Sequence, residues 1–114
     1  MSEIIGLPTI VSTRHRIVID KTLRELYRIP ENGSVLISVN KRYLQIFPSE
    51  SNMPGTVKKD VSIGRFNLPI EWANSNDILV GDRVFLTAAS DCILVCPSVK
   101  KTGPHSEEGN VKPC

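Results

Sequence analysis

The chain has 114 residues, 40% of them hydrophobic, and a formal net charge of +2, which suits one compact domain or two half-domains sharing a core. Net charge alone does not mark a nucleic-acid binder, and no apolar run is long enough to span a bilayer. The stretch Ile4–Val11 is short, is broken by Gly6 and Pro8, and lacks a basic lead and a cleavage site; a cytoplasmic protein with no membrane partner is expected.

In chain order, the β-branched run Thr9–Thr13 precedes a short strand at Arg16–Ile19. Asp20 can cap a helix that carries Leu23, Leu26 and Tyr27 as one apolar stripe. Pro30 disfavours helical geometry in the residue before it, so the helix ends near Ile29. Asn32-Gly33 supplies the positive-φ positions of a tight turn. Ser34–Val39 and Tyr43–Phe47, on either side of Asn40-Lys41-Arg42, read as a β-hairpin. Pro48–Gly55 is polar and rich in turn residues.

The same order then returns. Val57–Ser62 and Arg65–Leu68 read as strands, and Pro69 opens a weaker helix over Ile70–Asn76. Arg83–Ala88 and Cys92–Cys96 form a second hairpin around Ser90-Asp91. The stretch from Lys100 to Cys114 is polar and aperiodic and reads as a disordered tail. The expected organisation is a first repeat over 1–49, a linker over 50–56, a second repeat over 57–98 and a tail over 99–114.

The repetition is literal at a shift of 49 positions: His15–Ser49 aligns with Gly64–Ser98 without a gap. Identical residues are few (Arg16/Arg65, Ile29/Ile78, Val35/Val84, Pro48/Pro97 and Ser49/Ser98), but the apolar pairs Ile17/Phe66, Ile19/Leu68, Leu23/Trp72, Leu36/Phe85, Ile37/Leu86, Leu44/Ile93 and Ile46/Val95 stay in register. Each copy is a strand–strand–helix–strand–strand unit, too small to be stable alone. Two copies sharing one core form a pseudo-two-fold object, suited to a symmetric partner such as duplex DNA.

Charge is unevenly shared between the copies. Residues 11–49 hold seven basic and three acidic side chains, whereas residues 60–98 hold two basic and five acidic. The first half therefore offers a face to an anionic partner. No nucleophile elbow, phosphate loop, metal cluster or paired-carboxylate motif is present, so neither catalysis nor a cofactor nor a metal is expected. His15 and His105 have no partner at ligand spacing, and Trp72, matching Leu23, reads as core. Cys92 and Cys96 lie roughly 13 Å apart along a strand, beyond the ~7 Å that a disulfide allows; both read as small apolar residues of one strand face. Cys114 reads as a free thiol without a role.

The order strand, Gly-Arg or His-Arg, apolar alternation, short helix, Ile, turn and hairpin resembles the AbrB/SpoVT/MazE swapped-hairpin superfamily. The residues carrying it are His15-Arg-Ile-Val-Ile19 with Leu23-Arg24 and Ile29, and Val57-Lys-Lys-Asp-Val-Ser-Ile-Gly-Arg65 with Leu68-Pro69 and Gly81-Asp82-Arg-Val84. Two tandem copies in one chain are similar to MraZ-like proteins. The resemblance implies a mostly β fold with short helices, built from two AbrB-like β-β-α-β-β repeats. It also implies a DNA-binding transcription regulator that forms a homodimer or a higher homo-oligomer. Carried over by position, the DNA contacts fall on Arg16, Arg24, Lys58 and Arg65. Arg14, Lys21, Arg28 and Lys59 join them by chemistry, and Lys21, Arg24 and Arg28 share a helix face at i, i+3, i+7. Ala73 and Asn74 stand where DNA-binding members carry basic residues, which shifts the contact towards repeat 1. The alternative is a protein-interaction module of the same fold, an antitoxin or adaptor whose partner is another protein.

Overall fold

Short alternating apolar runs make short strands, and the structure, a computed structural model that describes residues 6–98, consists mainly of them. The elements are β1 (Leu7–Ile10), β2 (Arg16–Val18), α1 (Lys21–Leu26), β3 (Gly33–Val39), β4 (Leu44–Pro48), β5 (Val57–Val61), β6 (Arg65–Asn67), α2 (Ile70–Ser75), β7 (Arg83–Ala88) and β8 (Ile93–Pro97). Single 3-10 turns lie at Thr13–His15 and Ser49–Ser51. The expected strands and both helices are present, most ends shifted by a residue or two, while β1 and α1 each end three residues earlier than expected.

Six strands form one sheet in the order β1-β7-β8-β4-β3-β5, and β2 and β6 form a separate antiparallel ribbon. Every pairing is antiparallel, and several cross between the halves of the sequence: β1 pairs with β7, β5 with β3, β4 with β8 and β2 with β6. In the ribbon Ile17 faces Phe66, and between β4 and β8 Gln45 faces Leu94. Both pairs are separated by the same 49 positions that align the halves of the sequence.

One side of the large sheet is dry. Val35, Ile37, Leu44, Ile46, Val84, Leu86, Ile93 and Val95 are buried there with Ile17 and Phe66 from the ribbon and Leu23 and Trp72 from the helices. Residues pointing the same way on successive strands collect into one cluster because strand side chains alternate. Among the described residues the Trp72 Nε1 donor has no hydrogen-bond partner. The outer strands need protection from further pairing. Edge strand β1 carries Pro8, which cannot donate to a neighbour. Edge strand β5 carries Lys58 and Lys59, and Lys59, opposite Val35 in register, is a half-buried cation on the core-facing side of the edge.

Local chemistry sets the helices. The Asp20 carboxylate accepts from the Thr22 and Leu23 amides at 2.9 and 3.2 Å, as the cap reading requires. Both helices close by the same motif: Ile29 N donates to Arg24 O at 2.8 Å and Ile78 N to Ala73 O at 2.9 Å, after Arg28 and Asp77 take left-handed φ of 58° and 56°. Replacing Asp20 by Ala is expected to cost about 1 kcal/mol, readable as a lower urea midpoint with an unchanged slope.

Three local expectations are corrected. Leu26 is exposed, because α1 stops there and only Leu23 and Tyr27, one turn apart, reach the core. Neither Asn32 nor Gly33 has positive φ. Gly33 is instead required by space, since a Cβ there would stand 2.7 Å from Pro30 Cγ, and the Asn32 side chain accepts from Ile63 N at 3.0 Å. In the second half it is Gly81, with φ of 97° and open space around it, that answers to the conformational reason. Cys92 is a buried free thiol, but Cys96 is disulfide-bonded and so is not the free apolar side chain expected. The expected tail over 99–114, with His105 and Cys114, lies outside the described residues.

Candidate nucleic-acid interface

The β2–β6 ribbon alternates as short strands must. Ile17 and Phe66 are each 1% exposed and point into the core. Their neighbours Arg16, Val18, Arg65 and Asn67 therefore share the outward face, with Arg16 opposite Asn67 and Val18 opposite Arg65. Arg16 and Arg65 are diagonal neighbours across the ribbon, a relation that places such residues roughly 7–8 Å apart.

Two turns and two helices frame the ribbon. The turn Ser62–Arg65 is closed by Ser62 N donating to Arg65 O at 2.9 Å, with φ of 51° at Ile63 and 72° at Gly64. Positive φ at both central residues matches the twist of a two-residue hairpin. The turn Ser12–Arg16 holds one residue more, and Arg14 and His15 take φ of 67° and 53°. Exposed Arg14 offers its carbonyl to Asn67 Nδ2 at 3.0 Å. His15 Nε2 donates to Ile78 O at 3.1 Å, and this fixes its tautomer. Leu68 N donates to His15 O and Ile19 N to Gly64 O, both at 2.8 Å, so each turn is fastened to the start of the opposite half's helix.

Of the eight cations singled out by sequence, four gather here. Arg14 and Arg16 lie at the ribbon end where α2 begins, and Arg65 and Arg24 at the end where α1 begins. Arg24 is half-buried: its Nε donates to Ile19 O at 3.3 Å, and a Cβ added to Gly64 would come within 3.2 Å of that nitrogen. It thus joins α1 to the second turn while extending the cationic face. Lys21 is exposed in the first turn of α1, on the flank of the site.

The remaining three lie elsewhere. Lys58 and Lys59 sit on the outer edge of the large sheet. Arg28 is past the end of α1 in left-handed conformation, so the expected common helix face of Lys21, Arg24 and Arg28 does not form. Sequence reasoning passed over Val18 and Asn67. Their only signal was position, two residues on from Arg16 and Arg65 in strands whose middle residue is buried. A further polar cleft of about 430 Å³ lies between the β3–β4 turn and the end of α2, lined by Lys41, Arg42, Ser75, Asn76 and Asp77.

The swap of partners between halves has an electrostatic result. The cations of the first half reach both ends of the ribbon, one set through its turn (Arg14) and the other through its helix (Lys21, Arg24). Burial pushes the Cys92 thiol up, the opposite of what a reactive thiolate needs, and outweighs the downward pull of Gln45 Nε2, which donates to its Sγ at 3.7 Å. Among the described residues, no three His, Cys, Asp or Glu side chains are grouped so as to hold a metal ion, and no helix is long and apolar enough to cross a membrane. No family model, curated protein or solved structure matches the chain.

Proposed function

We propose that the chain is a pair of interlocked AbrB-like swapped-hairpin repeats that binds duplex DNA with the outward face of its ribbon, acting in transcription regulation. The observation that carries this is the placement of Arg16 and Arg65. They are the one pair of identical cations in the repeat, and both point outward across the pair Ile17–Phe66. A two-stranded ribbon fits the major groove, where an arginine fork matches a guanine edge, and phosphates draw the flanking cations Arg14, Lys21 and Arg24. The self-matching registers at Ile17–Phe66 and Gln45–Leu94 support a pseudo-two-fold axis through both sheets.

Fluorescence anisotropy with labelled duplexes tests the reading. Affinity is expected to fall steeply between 50 and 200 mM salt, by about 10³-fold if some six phosphates are contacted. The double substitution Arg16→Ala/Arg65→Ala should weaken specific binding by roughly 100-fold or more, since each good arginine–base pair contributes about 1–3 kcal/mol. Its melting temperature should stay near that of the parent. Binding that ignores salt, or that survives the double substitution, defeats the proposal.

One observation favours the protein-interaction alternative. Ile10, Leu79 and Val80 are large, more than half exposed, and held near one another where Gly81 N donates to Val11 O. Such a patch suits a protein partner, including a second copy of the chain. Duplex binding that is absent while a protein partner is retained would select this reading.

A further inference from the structure

The ribbon's outward face is symmetric only at its centre. Under the 49-residue shift Arg16 matches Arg65, but Val18 matches Asn67, and the two could hardly differ more as readers of base edges. Val18 is 44% exposed and offers only methyl groups. Asn67 is exposed, and its Nδ2 already gives one hydrogen to Arg14 O at 3.0 Å. Its second N–H and its Oδ1 remain, the donor–acceptor pair that an adenine edge accepts.

The phosphate-directed groups are just as unequal. At the Asn67 end the cation comes from a turn, Arg14, and the adjoining helix offers Ile70 and Ala73. At the Val18 end the turn offers Ile63 and Gly64, and the cations come from the helix, Lys21 and Arg24. Inserting one residue in the first turn is what brings Arg14 to the ribbon, and nothing repeats it in the second.

Resting on the ribbon reading and deepening it, we infer that a single chain recognises a duplex with unequal half-sites. A central step is read alike from both sides by Arg16 and Arg65. One flank is read by hydrogen bonding through Asn67, and the other is tolerated through an apolar contact at Val18. A palindrome satisfies the centre and leaves one flank unread.

The experiment starts from the duplex that the full-length protein selects from a random pool. Every base pair of that duplex is substituted in turn, and affinity is measured for the parent, Asn67→Val and Val18→Asn. In the parent, substitution at one flank should weaken binding at least tenfold and at the mirror position threefold or less. Asn67→Val should flatten the sensitive flank, and Val18→Asn should raise the tolerant one towards equality. Equal losses on both flanks of the parent, or an unequal profile untouched by Asn67→Val, overturn the inference and leave the ribbon reading standing. Selection that recovers no duplex overturns the ribbon reading, and this inference with it.

Discussion

Replacing Ala73 by arginine is expected to cost at least about 3 kcal/mol, and adding His15→Gly to that variant should return most of the loss. Ala73 is fully buried in α2, at the position equivalent to Arg24 in α1. Around Arg24 the neighbouring turn carries Gly64, whose missing side chain leaves the guanidinium its place and whose φ of 72° suits glycine. At the equivalent turn position stands His15, half-buried and bonded to Ile78 O. Large and small residues are thus exchanged between equivalent sites, Arg24 with Gly64 and Ala73 with His15. An arginine at 73 meets an occupied site and a buried charge without a partner. Glycine at 15 recreates the Gly64 arrangement, and Leu68 O then corresponds to Ile19 O as the acceptor. His15→Gly alone should change stability by no more than about 1 kcal/mol, since the lost hydrogen bond is offset by relief of its positive φ. Urea melts of the two single variants and the double give the coupling. If His15→Gly leaves Ala73→Arg as unstable as before, the two halves do not pack by a common plan.

That exchange bears on which pairing the chain can form. Two first halves together would set Arg24 against His15, and two second halves would set Ala73 against Gly64 and leave a void. Charge points the same way. Tyr27, at the end of α1, donates to Ala89 O beside Asp91, whereas Asn76, at the end of α2, donates to Lys41 O beside Arg42 and Asp77. First-half helix end therefore meets an acidic turn, and second-half helix end meets a basic one. Each half is built to take the other, not a copy of itself.

How much of this is legible in the sequence depends on what a strand pattern encodes. Alternation told which side of each strand is buried, and so the core pairs Ile17/Phe66, Val35/Val84 and Ile46/Val95 were visible at once. It says nothing about which strand lies alongside. The pairing of β1 with β7 and β5 with β3 depends on non-local contacts, and the ribbon exists only because of them. Val18 and Asn67 could not be recognised as a face until β2 and β6 were known to be partners. Arg24 was legible as a cation but not as a fastener, because Gly64 meets it from the other half. Leu26 and Asn32-Gly33 mislead for a local reason. A helix of six residues turns too little to bury a full stripe, and a glycine at the first position of a strand can be demanded by a proline ring as well as by φ.

The ribbon itself stands on one side chain. Phe66 is among the largest fully buried residues, and it faces Ile17 at the midpoint of the two-stranded sheet. Phe66→Ala should cost about 3–5 kcal/mol, the lost transfer energy plus a cavity that short strands cannot close over. A domain of this size has only some 5–15 kcal/mol in total, and each kcal/mol moves the melting temperature by about 4–8 °C. Ile17→Ala, removing less volume from the same pair, should cost about 2–4 kcal/mol. Phe85→Ala should cost less again, because Phe85 is only half-buried and lies on the sheet face away from the core cluster. The order of the three losses is the informative result. If Phe66→Ala melts with the parent, the ribbon is not seated on the large sheet. Arg16 and Arg65 then have no rigid platform, since their spacing is set by the register that Ile17 and Phe66 hold. If the order holds, duplex affinity of Phe66→Ala measured well below its melting point should also fall, although no residue on the outward face has changed.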